Sequence, residues 1–209
     1  MTGHTWTGRR PTWRAIAAVS LLVVLPLAVM ARTGWPTLTS FDRSADRRAH
    51  VLVLAHSWLL TSSRDVTHLG DPTVVTVGAV VVAALLWLSG RRRAALYVLL
   101  VRLVAVVTAY AVKEAVRRAR PVLAHPVAHA AGFSFPSGHA LGSAAFYGSV
   151  AIVLAGRVPT PVRIALGVVP PLIVSATRVF LGVHFPSDVL AGLVLGWATA
   201  LLVAAAVKP

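Results

Sequence analysis

The sequence predicts an all-α membrane protein, a polytopic helix bundle of six transmembrane helices forming one membrane-embedded domain over 1–209. Three observations predict it. Of the 209 residues, 57% are hydrophobic and only 12% are charged, where a soluble domain carries about a quarter charged. The apolar residues gather into six stretches, and a helix needs roughly 20 of them to cross a bilayer. Too little charge is available to cover so much apolar surface in water, which excludes disordered, fibrous and ordinary soluble chains.

The first expected span covers 15–31, behind Arg9, Arg10 and Arg14. A basic start, a short apolar run and the small-residue end Val29-Met30-Ala31 also fit a cleaved signal peptide. A retained span is preferred, because six spans keep both termini on one basic side. The eleven residues 50–60 are mostly apolar and too short to cross, so they read as an amphipathic helix on the outer leaflet. The second and third spans are 73–89 and 94–112. Arg102 lies within the third and should face the bundle or water, as an internal ion pair, a snorkelling side chain or a catalytic group. The fourth, fifth and sixth spans are 140–156, 164–177 and 189–207. The fifth is short and holds Pro170-Pro171, which membrane helices tolerate when neighbours satisfy the freed carbonyls.

Charge orients the spans. Lys and Arg number 20 against 6 Asp and Glu, a net charge of +14. Such a balance suggests nucleic acid or anionic lipid, but basic flanks that orient spans explain it better, and no nucleic-acid partner is expected. With the N-terminus inside, the inner segments carry Arg9, Arg10, Arg14, Arg91, Arg92, Arg93, Arg157, Arg163 and Lys208, nine bases and no acid. The outer segments carry ten bases and all six acids. The expected location is the cytoplasmic membrane with both termini cytoplasmic. There is no cysteine, which excludes disulfides, zinc–thiolate sites and a cysteine nucleophile.

Three polar clusters fall at three consecutive outward-facing ends. In the first, Lys113 and Arg120 are seven apart, two helical turns, with Pro121 stopping the helix. Two cations on one face suit a phosphate, or equally a lipid headgroup patch. In the second, Ser137 is a good N-cap, Gly138 lets a ligand approach the backbone, and His139 brings a titratable ring. A helix N-terminus binds anions, although this trio also reads as a plain cap. In the third, Asp188 lies one turn after His184. It can accept the Nδ1–H and leave Nε2 free as nucleophile or base, while Arg178 adds a fork for phosphate. A structural His–Asp pair is the alternative. Together the clusters supply cations, an anion cradle, a nucleophile and an acid, the parts phosphoryl transfer needs.

The pattern Lys113…Arg120-Pro121, Pro136-Ser137-Gly138-His139 and Arg178…His184…Asp188 resembles the signature of the type 2 phosphatidic acid phosphatase superfamily. The resemblance covers 113–196, and the six-span layout extends it to most of the chain. Thr177 stands where a serine usually precedes the arginine, and a hydroxyl remains. The resemblance implies a core shared with haloperoxidases and a metal-independent, cofactor-free phosphatase with a phosphohistidine intermediate. It implies that His184 is the nucleophile, Asp188 orients it, and His139 is the acid for the leaving group. Lys113, Arg120, Ser137, Gly138 and Arg178 would hold the phosphate. Substrates would be lipid phosphates or diphosphates, such as phosphatidic acid, phosphatidylglycerophosphate or a polyprenyl diphosphate, met at the extracytoplasmic face. A phosphotransferase of the same superfamily is the runner-up. A vanadium haloperoxidase is disfavoured, since those enzymes are soluble. Arg117, Arg118, His125 and His129 match no motif position and are expected to be headgroup contacts or surface.

Overall fold

A computed structural model describes residues 13–209. Arg9 and Arg10, two of the bases behind the expected orientation, lie outside the described residues. Eight helices follow in order: α1 (Trp13–Thr33), α2 (Pro36–Ala55), α3 (Ser57–Val66), α4 (Pro72–Leu88), α5 (Arg92–Val116), α6 (Gly138–Val153), α7 (Thr160–Phe180) and α8 (Pro186–Val207). One 3₁₀ turn, Thr67–Gly70, joins α3 to α4, and no strand occurs among the described residues. Prolines start α2, α4 and α8, where the missing N–H is no loss. Asp71 caps α4 by accepting from the Thr73 amide at 2.9 Å.

Each expected span corresponds to a helix, but the expected total of six crossings is not reproduced by length and apolarity. Four helices, α1, α5, α7 and α8, are long and apolar enough to cross a membrane. The pair formed by Ser57–Gly70 and Pro72–Leu88 is bent by 45° and makes a fifth if counted as one span. Helix α6, with 16 residues, is apolar but shorter. The surface helix expected over 50–60 is also different: α2 and α3 break at His56 inside that range, and α2 begins at Pro36. Its middle carries Asp42, Arg43, Asp46, Arg47 and Arg48, so hydropathy conceals it.

Helix α8 is the hub, touching α1, α2, α5, α6 and α7. Its approach to α6 is set by Gly192 and Gly196, one turn apart on one face. A Cβ at Gly192 would stand 2.7 Å from the Ser137 carbonyl oxygen, and one at Gly196 would strike the Leu141 oxygen and lie 2.6 Å from Ala144 Cβ. Small residues at this spacing let helix backbones touch, which is how helices bind one another in lipid. Around this contact lies a core of small side chains, with the fully buried Tyr97 donating to Ala200 O at 2.9 Å. Leu22, Leu85 and Leu88 face outward, as lipid-facing positions do. At the end remote from the three motifs, Arg91 and Arg163 donate to Val153 O (2.6 Å) and Ala151 O (3.3 Å), closing the C-terminus of α6. Arg102 faces the bundle: it donates to Thr76 Oγ1 at 2.9 Å and Pro72 O at 3.1 Å, tying α5 to the first turn of α4.

Helix α2 buries Asp42, Asp46, Ala49, His50 and Val53, a polar face that packs on α7 and α8. Burial pushes the Asp46 carboxyl up from 3.8 to about 6, with Asp42 adding to the rise and Arg47 opposing it.

Replacing Gly196 with Val should force α6 and α8 apart and cost about 1–3 kcal/mol or more, read as a lower melting midpoint in detergent. Asp46→Asn should raise that midpoint at neutral pH. The folded carboxyl holds its proton more tightly than the unfolded one, so its contribution is fully present below pH 3.8 and lost as pH rises through about 6. The gap between the Asp46→Asn variant and wild type should be at most about 3 kcal/mol at pH 8 and close towards pH 4.

Candidate active site

The expected helix face joining Lys113 to Arg120 does not exist. Helix α5 ends at Val116, and Arg117 takes a left-handed conformation (φ 53°) that turns the chain off the helix axis. Residues 118–120 run on in irregular backbone. The two cations still meet, because the returning chain brings the Phe133 carbonyl between them. Lys113 Nζ donates to it at 2.5 Å and Arg120 Nη2 at 3.3 Å. Arg120 is held further by Gly132 O (3.0 Å), Ala131 O (2.9 Å) and Val183 O (2.7 Å). This rigid guanidinium presents Nη1 to His184 Nε2 at 3.1 Å.

His184 lies in the turn between α7 and α8 and is 2% exposed. Its Nδ1 faces Asp188 Oδ2 at 3.6 Å, a polar contact slightly longer than a hydrogen bond. With Nε2 accepting from Arg120, the proton belongs on Nδ1, towards the carboxylate. Burial lowers the His184 pKa from 6.5 to about 4; Asp188 opposes the fall, and Arg120 and Arg178 add to it. The ring is therefore neutral at physiological pH, the form that can attack.

Ser137 is buried and N-caps α6, accepting from the Ala140 amide at 3.5 Å. Its own N–H donates to Asp188 O at 2.9 Å, so the starts of α6 and α8 are stitched together. A Cβ placed on Gly138 would meet nothing within 4 Å, leaving the N-terminal backbone of α6 open to a ligand. His139, in the first turn, lies within electrostatic reach of Arg178, His184, Asp71 and Arg120. Arg178 comes from the last turn of α7 and donates Nη1 to Thr67 Oγ1 at 2.8 Å; its Nε meets no hydrogen-bonding partner among the described residues. The Thr177 hydroxyl donates to Val174 O at 2.6 Å and so turns back into its own helix. All eight expected site residues thus come to one end of the bundle, from α5, its trailing segment, α6, α7, the α7–α8 turn and α8.

Arg118 is a correction. Expected at the surface, it is 8% exposed and reaches both Asp188 Oδ1 (2.6 Å) and Asp42 Oδ2 (2.7 Å), stacked over the Phe185 ring. Asp42, Ser134 and Asp71 are further polar neighbours that spacing did not reveal. No local signal marked Arg118, since its carboxylate partners lie 70 and 76 positions away along the chain. Arg117, His125 and His129 are exposed, as expected. Beside Arg120 opens a cavity of about 180 Å³, walled by Leu123, Pro126, His129, Gly182 and Val183. A larger apolar groove of about 420 Å³ lies far down the bundle between α6, α7 and α8 and shares no residue with the site. No group of three His, Asp or Glu side chains placed to hold a metal occurs among the described residues.

The chain is similar to several known bacterial phosphatases. Phosphatidylglycerophosphatase B of Bacillus subtilis is 34% identical over 181 residues, 84% of this chain and 86% of that protein. Decaprenylphosphoryl-5-phosphoribose phosphatase of Mycobacterium tuberculosis is 36% identical over 143 residues, 66% of this chain and 75% of that one. Lipid A 1-phosphatase of Rhizobium etli is 37% identical over 101 residues, covering 44% and 41%. The crystal structure of a transmembrane PAP2-type phosphatidylglycerolphosphate phosphatase from Bacillus subtilis superposes with a TM-score of 0.79 at 28% identity, over 93% of this chain and 94% of that one. Residues 94–209 match the PAP2 superfamily, and the chain belongs to that superfamily.

Proposed function

We propose that the chain is a membrane lipid phosphatase acting through a phosphohistidine on His184. One observation carries the reading: a neutral, buried imidazole, backed by Asp188, points Nε2 at Arg120 where Lys113, Arg178 and the open start of α6 converge. The phosphate lies against these donors, which stabilise its equatorial oxygens as charge shifts in the transition state. His184 Nε2 attacks phosphorus as the bond to the lipid oxygen breaks, and His139, protonated once the bound phosphate's negative charge offsets the nearby Arg178 and Arg120 guanidinium groups, gives that oxygen a proton. The imidazolium formed on His184 is stabilised by Asp188. Water, deprotonated by His139, then attacks phosphorus, breaks the N–P bond and releases inorganic phosphate. Lys113, Arg120 and Arg178 supply the positive charge that a metal clamp supplies elsewhere, so no metal ion takes part.

The relatives act on phosphatidylglycerophosphate, a decaprenyl-linked phosphosugar and lipid A, by their names. Their shared chemistry is a phosphate on a membrane lipid, and we assign that class here. The cavity beside Arg120 takes the part of the headgroup beyond the phosphate. The chain forms one domain that crosses the cytoplasmic membrane six times, with α6 and the bent α3–α4 pair completing the set. The site faces the extracytoplasmic side and both termini the cytoplasm. Among the described residues, seven bases and no acid at the other end support this orientation.

Labelled lipid phosphate, quenched rapidly without acid in the presence of chelator, should leave an acid-labile, base-stable phosphoenzyme on the wild type. His184→Ala should carry none and lose turnover. Label persisting on the His184→Ala variant, or turnover within about tenfold of wild type (roughly 1.4 kcal/mol of barrier), overturns the nucleophile. Loss of activity in chelator that magnesium restores overturns the metal-free reading.

A cytoplasm-only reporter fused at the C-terminus should be active. Activity there of an export-dependent reporter instead means that the orientation is reversed.

A further inference from the structure

The nucleophile's carboxylate is itself held by a second buried carboxylate, through one guanidinium. Asp188 has two oxygens with separate duties. Oδ2 accepts from the Phe185 amide at 2.9 Å and from Ser134 Oγ, and faces His184. Oδ1 accepts from Arg118 Nη1 at 2.6 Å. The same Nη1 reaches Ser187 Oγ at 2.7 Å, and Nη2 reaches Asp42 Oδ2 at 2.7 Å. Asp42 closes the ring by accepting from Ser187 Oγ (2.5 Å) and the Ser187 amide (3.1 Å). Asp42 and Asp188 are fully buried.

We propose that Asp42 and Arg118 are positioning residues for the His184–Asp188 pair: Arg118 fixes the rotation of the Asp188 carboxylate and shares its charge, and Asp42 sets how much of the Arg118 charge Asp188 receives. The inference rests on His184 being the nucleophile. Its physical basis is that a guanidinium fork grips carboxylates in a fixed plane, and that buried charges act strongly on one another. With Arg118 in place, part of the Asp188 charge is neutralised, and the imidazole is less driven to take up a proton. Removing Arg118 leaves the full charge beside Nδ1 and favours imidazolium. Removing the charge of Asp42 frees Arg118 to neutralise Asp188 further and disfavours imidazolium. The other charged or titratable groups around His184 stay unchanged in both cases: Arg120 on the segment after α5, Arg178 on α7 and His139 on α6. Lys113 on α5 acts with Asp188 and Arg120, and Asp71 before α4 acts on His139 and Arg178.

The test is the pH profile of kcat/KM for the purified full-length protein on one lipid phosphate in detergent, so that the substrate's own ionisation is common to all variants. Arg118→Gln should move the acid limb to higher pH and lower kcat by on the order of tenfold to hundredfold, the scale of a misplaced catalytic group. Asp42→Asn, nearly isosteric, should move the limb the opposite way. Arg118→Lys should return it towards wild type by restoring the cation. A merely structural role predicts lower activity with an unmoved limb. Limbs that stay at the wild-type pH, or move the same way in Arg118→Gln and Asp42→Asn, overturn the proposal. If Arg118→Gln does not fold, the limbs of Asp42→Asn and Arg118→Lys decide: a downward shift in the first supports the proposal, and an unmoved or upward one overturns it. Phosphoenzyme trapping on His184→Ala separates the two levels. Label on that variant removes the nucleophile reading, whereas its absence together with unmoved limbs removes the positioning role alone.

Discussion

The buried carboxylate of Asp188 is the constraint around which the site end of the molecule is arranged. A carboxylate cannot stay charged in an apolar interior unless its oxygens are matched by donors. Asp188 finds them on three separate segments: Phe185 in its own turn, Ser134 in the loop before α6, and Arg118 after α5. Its backbone carbonyl takes the Ser137 amide as well. Satisfying one charge therefore fixes the loop ahead of α6, the start of α8 and the turn that carries His184. The second carboxylate, Asp42, extends the same demand to α2, which lies on the bundle rather than through it.

Geometry of the helices does the rest. The glycines of α8 bring its backbone against α6, so that two helix starts lie side by side. One start holds the open amides at Gly138, and the other holds Asp188 one turn after His184. An anion bound over α6, as proposed, would thereby lie against the imidazole without either residue reaching out on a long side chain. The cations then approach from the remaining directions, each on a different element. Arg120 is gripped by four carbonyls and is rigid. Among the described residues, Arg178 is anchored at one nitrogen only.

The distribution of apolar surface fits the lipid phosphate proposed as substrate. Large side chains of α1, α4 and α5 stand exposed along the bundle, while the polar cluster is confined to one end. A lipid phosphate has the same division, with an apolar body and one charged end. The basic residues at the opposite end have a different duty, since Arg91 and Arg163 close the C-terminus of α6 there.

The sequence by itself determined the all-helical class, the cores of the spanning helices, the PAP2 membership and the identity of the motif residues. These are local or additive signals: apolar runs of crossing length, a capping serine, a histidine one turn before an aspartate. It did not reveal α2, because a helix whose inward face carries Asp42, Asp46 and His50 has no apolar stripe to detect. It misplaced the Lys113–Arg120 pair, because the left-handed turn at Arg117 breaks a spacing that assumes a continuous helix. It left Arg118 on the surface, because its partners are 70 and 76 positions away. Only the tertiary structure decided these points. Whether a charge is buried depends on which distant donors the fold brings to it, and that information lies in no single stretch of chain.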